Sequence, residues 1–212
     1  MVTQYGFYHN NDECVGCKVC VIACKDKNDL PVGEKYRRVY DYGGGTWNVD
    51  SDNVIQLEDF FRYSVSISCN HCAAPVCMAT CPVSAIIKRD DGIVYIDEST
   101  CIGCGTCVTA CPYGEPYMSK STGKARKCDL CMDLIDNGEQ PVCITSCPTR
   151  CLEYGELADL KAKHGEVQQV APITEDMGTG PSSVYTRHRM NPDGKLPGKV
   201  LNQPEELASE AV

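Results

Sequence analysis

Residues 101–112 read CIGCGTCVTACP: Cys101, Cys104 and Cys107 fall within seven residues, Cys111 lies one helical turn later, and Pro112 follows it. A cubane iron–sulfur cluster presents four irons at alternate corners, each needing one thiolate. The C-x2-C-x2-C run lets one tight loop wrap three of those corners. Gly103 and Gly105 supply the small, permissive backbone positions that such a loop needs. Backbone N–H groups in a loop of this kind can point at the inorganic sulfides and stabilise their negative charge. Cys111 faces another direction from the triplet, and in runs of this spacing the fourth thiolate goes to a second cluster.

Working outward, the same arrangement recurs in degenerate form. The groups are Cys14, Cys17, Cys20, Cys24; Cys69, Cys72, Cys77, Cys81; Cys101, Cys104, Cys107, Cys111; and Cys128, Cys131, Cys143, Cys147. In each, three residues separate the last two members, and three groups end in Cys-Pro. Of the 17 cysteines only Cys151 lies outside the repeat. A disulfide framework suits short secreted chains with even cysteine counts, and this one is long with an odd count. Zinc is the competing metal, but it favours separated C-x2-C pairs. The compact triplets therefore argue for iron–sulfur clusters, with the looser fourth group the place where zinc conflicts least.

Across 212 residues the hydrophobic share is 42%, but that figure includes the cysteines, and there are only three Phe and one Trp. A modest aliphatic and aromatic supply implies that metal clusters fill part of the interior, where ligation energy doubles as folding energy. The net charge of −9 excludes a basic nucleic-acid face. No apolar run reaches the roughly 20 residues that span a bilayer. The opening MVTQYGFYHNNDE lacks a basic start followed by an apolar stretch, so the expectation is that the chain carries no export address of its own. No pair of catalytic carboxylates, no Ser/His/Asp set and no phosphate loop stands out, which points to electron transfer rather than substrate chemistry.

Short elements are predicted between the groups, giving an α+β class. Ala85–Lys88 and Ile93–Ile96 flank an Asp-Gly turn and read as a hairpin; residues 61–68 alternate as a strand; residues 5–8 and 152–154 can pair as a second small sheet. Short helices are expected after the third cysteine of each group, as at 19–25 and 108–111. Residues 25–68, with Gly43-Gly44-Gly45, read as an insertion and surface excursion. From 173 onward Pro181, Pro192, Pro197 and Pro204 suggest an extended arm rather than a packed element. Cys151 reads as a buried structural thiol. His71, inside Cys-Asn-His-Cys, is either a hydrogen-bond donor to ligand sulfurs or a surface residue, its group already having four thiolates. Trp47 reads as packing or partner contact, and Lys35, Arg37 and Arg38 as a solvated or interface patch.

The stretches QYGF (4–7), CVGCKVCVIACKDKNDL (14–30), RRVYDYGGGTW (37–47), SISCNHCAAPVC (66–77), CIGCGTCVTACPYGEP (101–116), KCDLCMD (127–133), PVCITSCPTR (141–150) and KHGEVQQVAP (163–172) resemble the iron–sulfur B subunit of dimethyl sulfoxide reductase, within the wider family of four-cluster ferredoxin-like subunits of molybdopterin oxidoreductases. The resemblance implies an electron-transfer subunit carrying four [4Fe-4S] clusters. It implies a molybdopterin-containing catalytic partner, often with a membrane anchor that exchanges electrons with quinol. It also implies membrane association through those partners, on the extracytoplasmic face by co-export, or in the cytoplasm where the partner lacks a signal. Two pseudo-symmetric bacterial-ferredoxin-like halves are implied: residues 1–24 with 125–172, and residues 69–124, flanking the 25–68 insertion and followed by the 173–212 tail. With the fourth cysteine of each group crossing to the neighbouring cluster, the ligand sets are Cys14, Cys17, Cys20, Cys147; Cys24, Cys128, Cys131, Cys143; Cys69, Cys72, Cys77, Cys111; and Cys81, Cys101, Cys104, Cys107. Nitrate reductase relatives have Trp and a three-iron cluster where this sequence has Cys107, so four irons are expected here. The alternative is a free-standing polyferredoxin, and a partner-wrapping role for the 25–68 segment and the tail favours the subunit.

Overall fold

A computed structural model describes residues 3–173 and 175–202. β1 (Tyr5–Asn10) comes first, α1 (Val19–Lys27) carries the end of the first cysteine group, and β2 (Arg37–Val49) and β3 (Ile55–Ser68) form a long hairpin. Next come α2 (Val76–Ala79), the hairpin β4 (Ile86–Lys88) and β5 (Val94–Ile96), α3 (Thr106–Ala110), and the two-residue strands β6 (Tyr117–Met118) and β7 (Ala125–Arg126). The fourth group holds α4 (Met132–Asp136) and α5 (Val142–Thr145), followed by β8 (Leu152–Glu156), α6 (Leu157–His164), β9 (Ser183–Thr186) and β10 (Lys199–Val200). The result is a mixed α/β fold.

The cysteine repeat is also a backbone repeat. In every group the third cysteine is the second residue of a helix: Cys20 in α1, Cys77 in α2, Cys107 in α3, Cys143 in α5. The helices thus include the third cysteine instead of following it, because the turn must begin one residue early to swing the fourth thiol away. The residue before each second cysteine has a positive φ, at Gly16 (68°), His71 (43°), Gly103 (72°) and Leu130 (62°). Two of these are side chains held in a region that glycine occupies freely, so the loop shape persists where the residue type does not favour it. After the fourth cysteine, three groups make one turn: Ser84, Gly114 and Arg150 have positive φ and donate N–H to the carbonyls of Cys81, Cys111 and Cys147 at 3.3, 3.2 and 3.3 Å.

The sheet expected from residues 5–8 and 152–154 is present: β1 pairs antiparallel with β8, Phe7 opposite Tyr154 and His9 opposite Leu152. The 85–96 hairpin closes with Lys88 opposite Val94. The strand expected at 61–68 extends back to Ile55. The surface excursion at 25–68 holds only in part. Val39, Phe61, Val65 and Tyr63 are buried, so the base of the β2–β3 hairpin is core and only its far end is exposed. The glycines at 43–45 have specific uses there. Gly45 (φ 107°) sits where the pairing register shifts between Gly44 and Thr46, and a Cβ on Gly44 would meet the Pro197 carbonyl oxygen at 2.4 Å.

The extended arm is likewise corrected. β9 pairs parallel with β1, Tyr8 opposite Val184, and Val184 is fully buried. β10 pairs antiparallel with β2, Lys199 opposite Gly43, and Asn202 reinforces this by accepting the Asp41 N–H and donating to the Val39 carbonyl at 2.9 Å each. Proline and glycine exclude a long helix, but they leave two- to four-residue strands free to add to existing edges. Pro204, also expected in the arm, lies outside the described residues, as does the rest of 203–212.

The core confirms the expected shortage of hydrocarbon. Its largest buried cluster mixes Phe7, Val21, Leu30, Tyr36, Val39, Ile93, Leu130, Ile144 and Leu152 with Cys20, Cys24, Cys69, Cys128, Cys143, Cys147 and Cys151. The docking of the tail makes a test. Gly44→Ala forces the Pro197–Gly198 backbone off β2; the expected cost is about 1–3 kcal/mol, with new protease cleavage after Asn191. Gly155→Ala, whose added carbon would meet only Leu160 atoms at ordinary contact distances (3.7 Å), should melt and digest like the parent protein.

Candidate iron–sulfur site

None of the 17 cysteines is in a disulfide, and their sulfurs gather into neighbourhoods that each mix two sequence groups. Cys69, Cys72 and Cys77 of the second group and Cys111 of the third line one cavity, together with His71, Val94 and Tyr113. Cys101, Cys104 and Cys107 of the third group and Cys81 of the second line another, walled by Val83, Ile86 and Ile96. Cys24 lies close enough to Cys143 and Cys131 for their charges to act on it, and Cys128 feels Cys24 and Cys131. Cys14 feels Cys20 and Cys147. Cys17 is on the same loop as Cys14, with its thiol exposed.

Burial dominates the protonation of these groups. It pushes the thiols of Cys24 and Cys77 up to about 12 and those of Cys72 and Cys131 up to about 11, neighbouring thiolates adding to the shift. Cys128, wholly buried, is likewise raised well above the ordinary thiol value. A thiol in such surroundings stays protonated unless a cation takes the proton's place. Cys104 is the opposite case: it is exposed, and hydrogen bonding to Thr106 lowers it.

Three further features fit an anionic cluster held by thiolates. Arg37 is 2% exposed; its Nη1 donates to Ser66 Oγ at 3.0 Å, and its Nη2 has no partner among the described residues. The charges raising its pKa against the cost of burial are those of Cys143, Cys20, Cys128 and Cys24. A buried guanidinium facing thiols rather than a carboxylate is costly unless substantial negative charge is held there. Lys127, also buried, donates to the Val94 and Cys128 carbonyls, and its charge offsets part of the rise at the Cys77 thiol. His71 is buried, not a surface residue. Its Nδ1 accepts the Val94 N–H at 3.0 Å, which leaves the proton on Nε2. That Nε2 has no partner among the described residues, and the ring lines the Cys69–Cys72–Cys77–Cys111 cavity.

Arg37 and Arg38 correct the expectation of a solvated patch. Arg38 makes a buried ion pair with Glu115 at 2.7 Å. The sequence signal for Arg37 is period-two alternation: it shares a strand face with the buried Val39, and a strand read from residue 37 onward turns both of them inward.

Residues 60–157 match the 4Fe-4S dicluster domain and residues 11–36 a 4Fe-4S binding domain. The sequence is 43% identical over 206 residues to the B subunit of the anaerobic dimethyl sulfoxide reductase of Escherichia coli (strain K12), covering 97% of this protein and all of the relative. It belongs to this iron–sulfur subunit family. It is also 33% identical to the thiosulfate reductase electron transfer subunit of Salmonella typhi (92% of this protein, 98% of the relative). It is 34% identical to the B subunit of the polysulfide reductase of Wolinella succinogenes (85% and 93%). As a member of the family, it is a non-catalytic, [4Fe-4S]-binding electron-transfer subunit.

Arg37 offers a direct electrostatic test. Each reduction adds negative charge near its guanidinium, so removing that charge disfavours the reduced form. Arg37→Gln is expected to move the midpoint potential of the nearest iron–sulfur signals negative by at least a tenfold change in the one-electron equilibrium, ~59 mV. Arg37→Lys should fall between the two. Midpoints that do not move would show that the charge sits elsewhere.

Proposed function

We propose that this protein holds four [4Fe-4S] clusters and passes electrons through them between a quinol-linked or other donor and a molybdopterin-containing catalytic subunit. The ligand sets are Cys14, Cys17, Cys20, Cys147; Cys24, Cys128, Cys131, Cys143; Cys69, Cys72, Cys77, Cys111; and Cys81, Cys101, Cys104, Cys107. The first two belong to a half made of residues 1–24 and 125–172, the last two to a half made of residues 69–124. When bound, each cluster supplies a one-electron station whose potential depends on burial, charge and hydrogen bonds to sulfur.

One observation carries the reading: each sulfur neighbourhood is linked to the next, by charge acting between their thiols or by a cysteine group shared between them. The second feels the first through Cys143 acting on Cys20 and the third through Cys69 acting on Cys128. The third and fourth exchange Cys111 and Cys81 between their cavities. Both ends of this row reach the surface, at Cys17 with the exposed Val15 and at Cys104 with the exposed Ile102. The thiols of the two middle sets are mostly buried, which excludes water from the interior stations.

A second observation favours a subunit over a free-standing polyferredoxin. Beyond Gly45 the β2–β3 hairpin is a two-stranded ribbon. Cross-strand pairs Trp47–Leu57 and Val49–Ile55 occupy one face, and Thr46–Glu58 and Asn48–Gln56 the other. Trp47 is 67% exposed, and Leu57, Ile55 and Val49 are also exposed. Alternation of this kind belongs to a half-buried sheet, and a ribbon alone is marginal, so its apolar face suits a protein partner. Net charge −9 disfavours both a second copy and an anionic lipid surface. None of the described helices is long and apolar enough to cross a membrane, and membrane association through an anchor subunit, on the extracytoplasmic face when the catalytic partner is exported, follows the family pattern.

Cys147→Ser tests the ligand sets, since crossed and uncrossed binding assign Cys147 to different clusters. Its paramagnetic resonance spectrum should show the same damage as Cys14→Ser, in protein that otherwise holds about sixteen irons by the one-thiolate-per-iron rule. A match to Cys128→Ser would mean that each group binds its own cluster. For the partner, the double variant Trp47→Asp/Leu57→Asp should keep every cluster signal but no longer co-purify with the co-expressed catalytic subunit. Unchanged co-purification would remove the ribbon from the interface.

A further inference from the structure

Cys151 is the one cysteine that no ligand set uses, and a repeated turn delivers it to a defined place. After Cys81-Pro82 the backbone turns through Ser84, and the next residue, Ala85, donates its N–H to Cys81 Sγ at 3.2 Å. After Cys111-Pro112 it turns through Gly114, and the N–H of Glu115 donates to the Cys111 sulfur. The third such turn passes through Arg150, and the residue in the corresponding position is Cys151. Its Sγ lies 3.5 Å from Cys147 Sγ. On the other side, Cys151 Sγ, Cys14 Sγ and a ring nitrogen of His9 all lie within 4.8 Å of one another.

His9 is the second, independent sign that these groups act together. It is 2% exposed, and neither ring nitrogen finds an oxygen or nitrogen partner among the described residues. Sheet pairing fixes its approach: His9 sits opposite Leu152, and the Asn10 N–H donates to the Cys151 carbonyl at 2.8 Å. A buried imidazole without a polar partner is costly, so its persistence here points to the sulfurs beside it.

The assignment of the hydrogen follows from chemistry. Cys14 and Cys147, as cluster ligands, are thiolates and can only accept. Cys151 alone keeps its S–H, so it is the donor in any hydrogen bond to them. His9, a ring nitrogen of which lies within 4.8 Å of that sulfur, can reinforce the donor, since hydrogen bonds in a chain polarise one another.

We infer that Cys151 shares its single S–H between the ligand sulfurs of Cys147 and Cys14, backed by His9, and that it raises the reduction potential of the cluster those cysteines hold. A hydrogen bond to a ligand thiolate favours the more negative, reduced cluster over the oxidised one. Cys151 is thus a positioning and tuning residue and not a fifth ligand.

The test uses the full-length protein purified without oxygen, titrated potentiometrically and followed by paramagnetic resonance. Cys151→Ala should retain every cluster and move one midpoint negative by about tenfold in the one-electron equilibrium, ~59 mV, with the others unmoved. Cys151→Ser keeps a donor and should shift less. Cys151→Val, matched in volume but without a donor, should behave like Ala. His9→Gln should shift the same midpoint, and add nothing in the Cys151→Ala background. Loss of a cluster signal in Cys151→Ala would make Cys151 a ligand, and equal midpoints for Ser and Val would make it inert packing; either overturns the inference. It rests on the proposed set Cys14, Cys17, Cys20 and Cys147, and the two fail separately. If the set is wrong, Cys14→Ser and Cys147→Ser damage different spectra. If only this inference is wrong, they damage the same spectrum and Cys151→Val leaves its midpoint in place.

Discussion

The sulfurs of Cys14 and Cys147 occupy one neighbourhood, and that closure organises the molecule. A contact between residues more than 130 positions apart carries a large loop-closure entropy, which neither cysteine alone offsets. The β1–β8 pairing and the Asn10–Cys151 hydrogen bond hold the same two ends together. Everything between residues 14 and 147 is then a closed excursion, and its intervening loops must pack back against a single sulfur-rich interior. The tail finishes the closure from outside by adding β9 to the free edge of β1 and β10 to that of β2.

Within that enclosure the usual relation between burial and stability is altered. Thiols replace hydrocarbon in much of the largest core cluster, and burial disfavours their ionisation. Buried cations at Arg37 and Lys127 and an unpartnered imidazole N–H at His71 would each be destabilising in a core of aliphatic side chains. Around anionic clusters the same groups become compensation. Folding and metal loading are therefore coupled, and the residues that shape the potentials are the ones that a metal-free interior would tolerate least.

The short elements serve this arrangement more than they serve themselves. Helices of four or five residues, such as α2 and α5, are too short to be stable alone. Their work is to rotate the fourth cysteine away from the triplet that precedes it. Positive φ at His71 and Leu130 shows the loop geometry imposed on residues that disfavour it. The ion pair of Arg38 with Glu115 and the hydrogen bond of Tyr117 to Glu34 at 3.0 Å tie the β2 region to the loops after Cys111, so the hairpin base braces both sets of cysteine groups.

Cysteine spacing by itself determined the chemistry and the repeat, and the Asp91-Gly92 turn the short hairpin at 85–96, because ligand geometry and turn formation are local and leave their marks within a dozen residues. Residues 5–8 and 152–154 were legible as two short strands able to pair, and the structure pairs them. Tertiary structure decided what local pattern does not encode. It turned Arg37 inward, since a charged residue declares burial only when its compensating charge is brought from elsewhere in the sequence. It packed a Pro- and Gly-rich tail, since added edge strands draw their hydrogen bonds from partners more than 150 residues away. It set Cys151 and His9 beside Cys14 and Cys147, because only the closed sheet brings residue 9 and residue 151 into the same few ångströms.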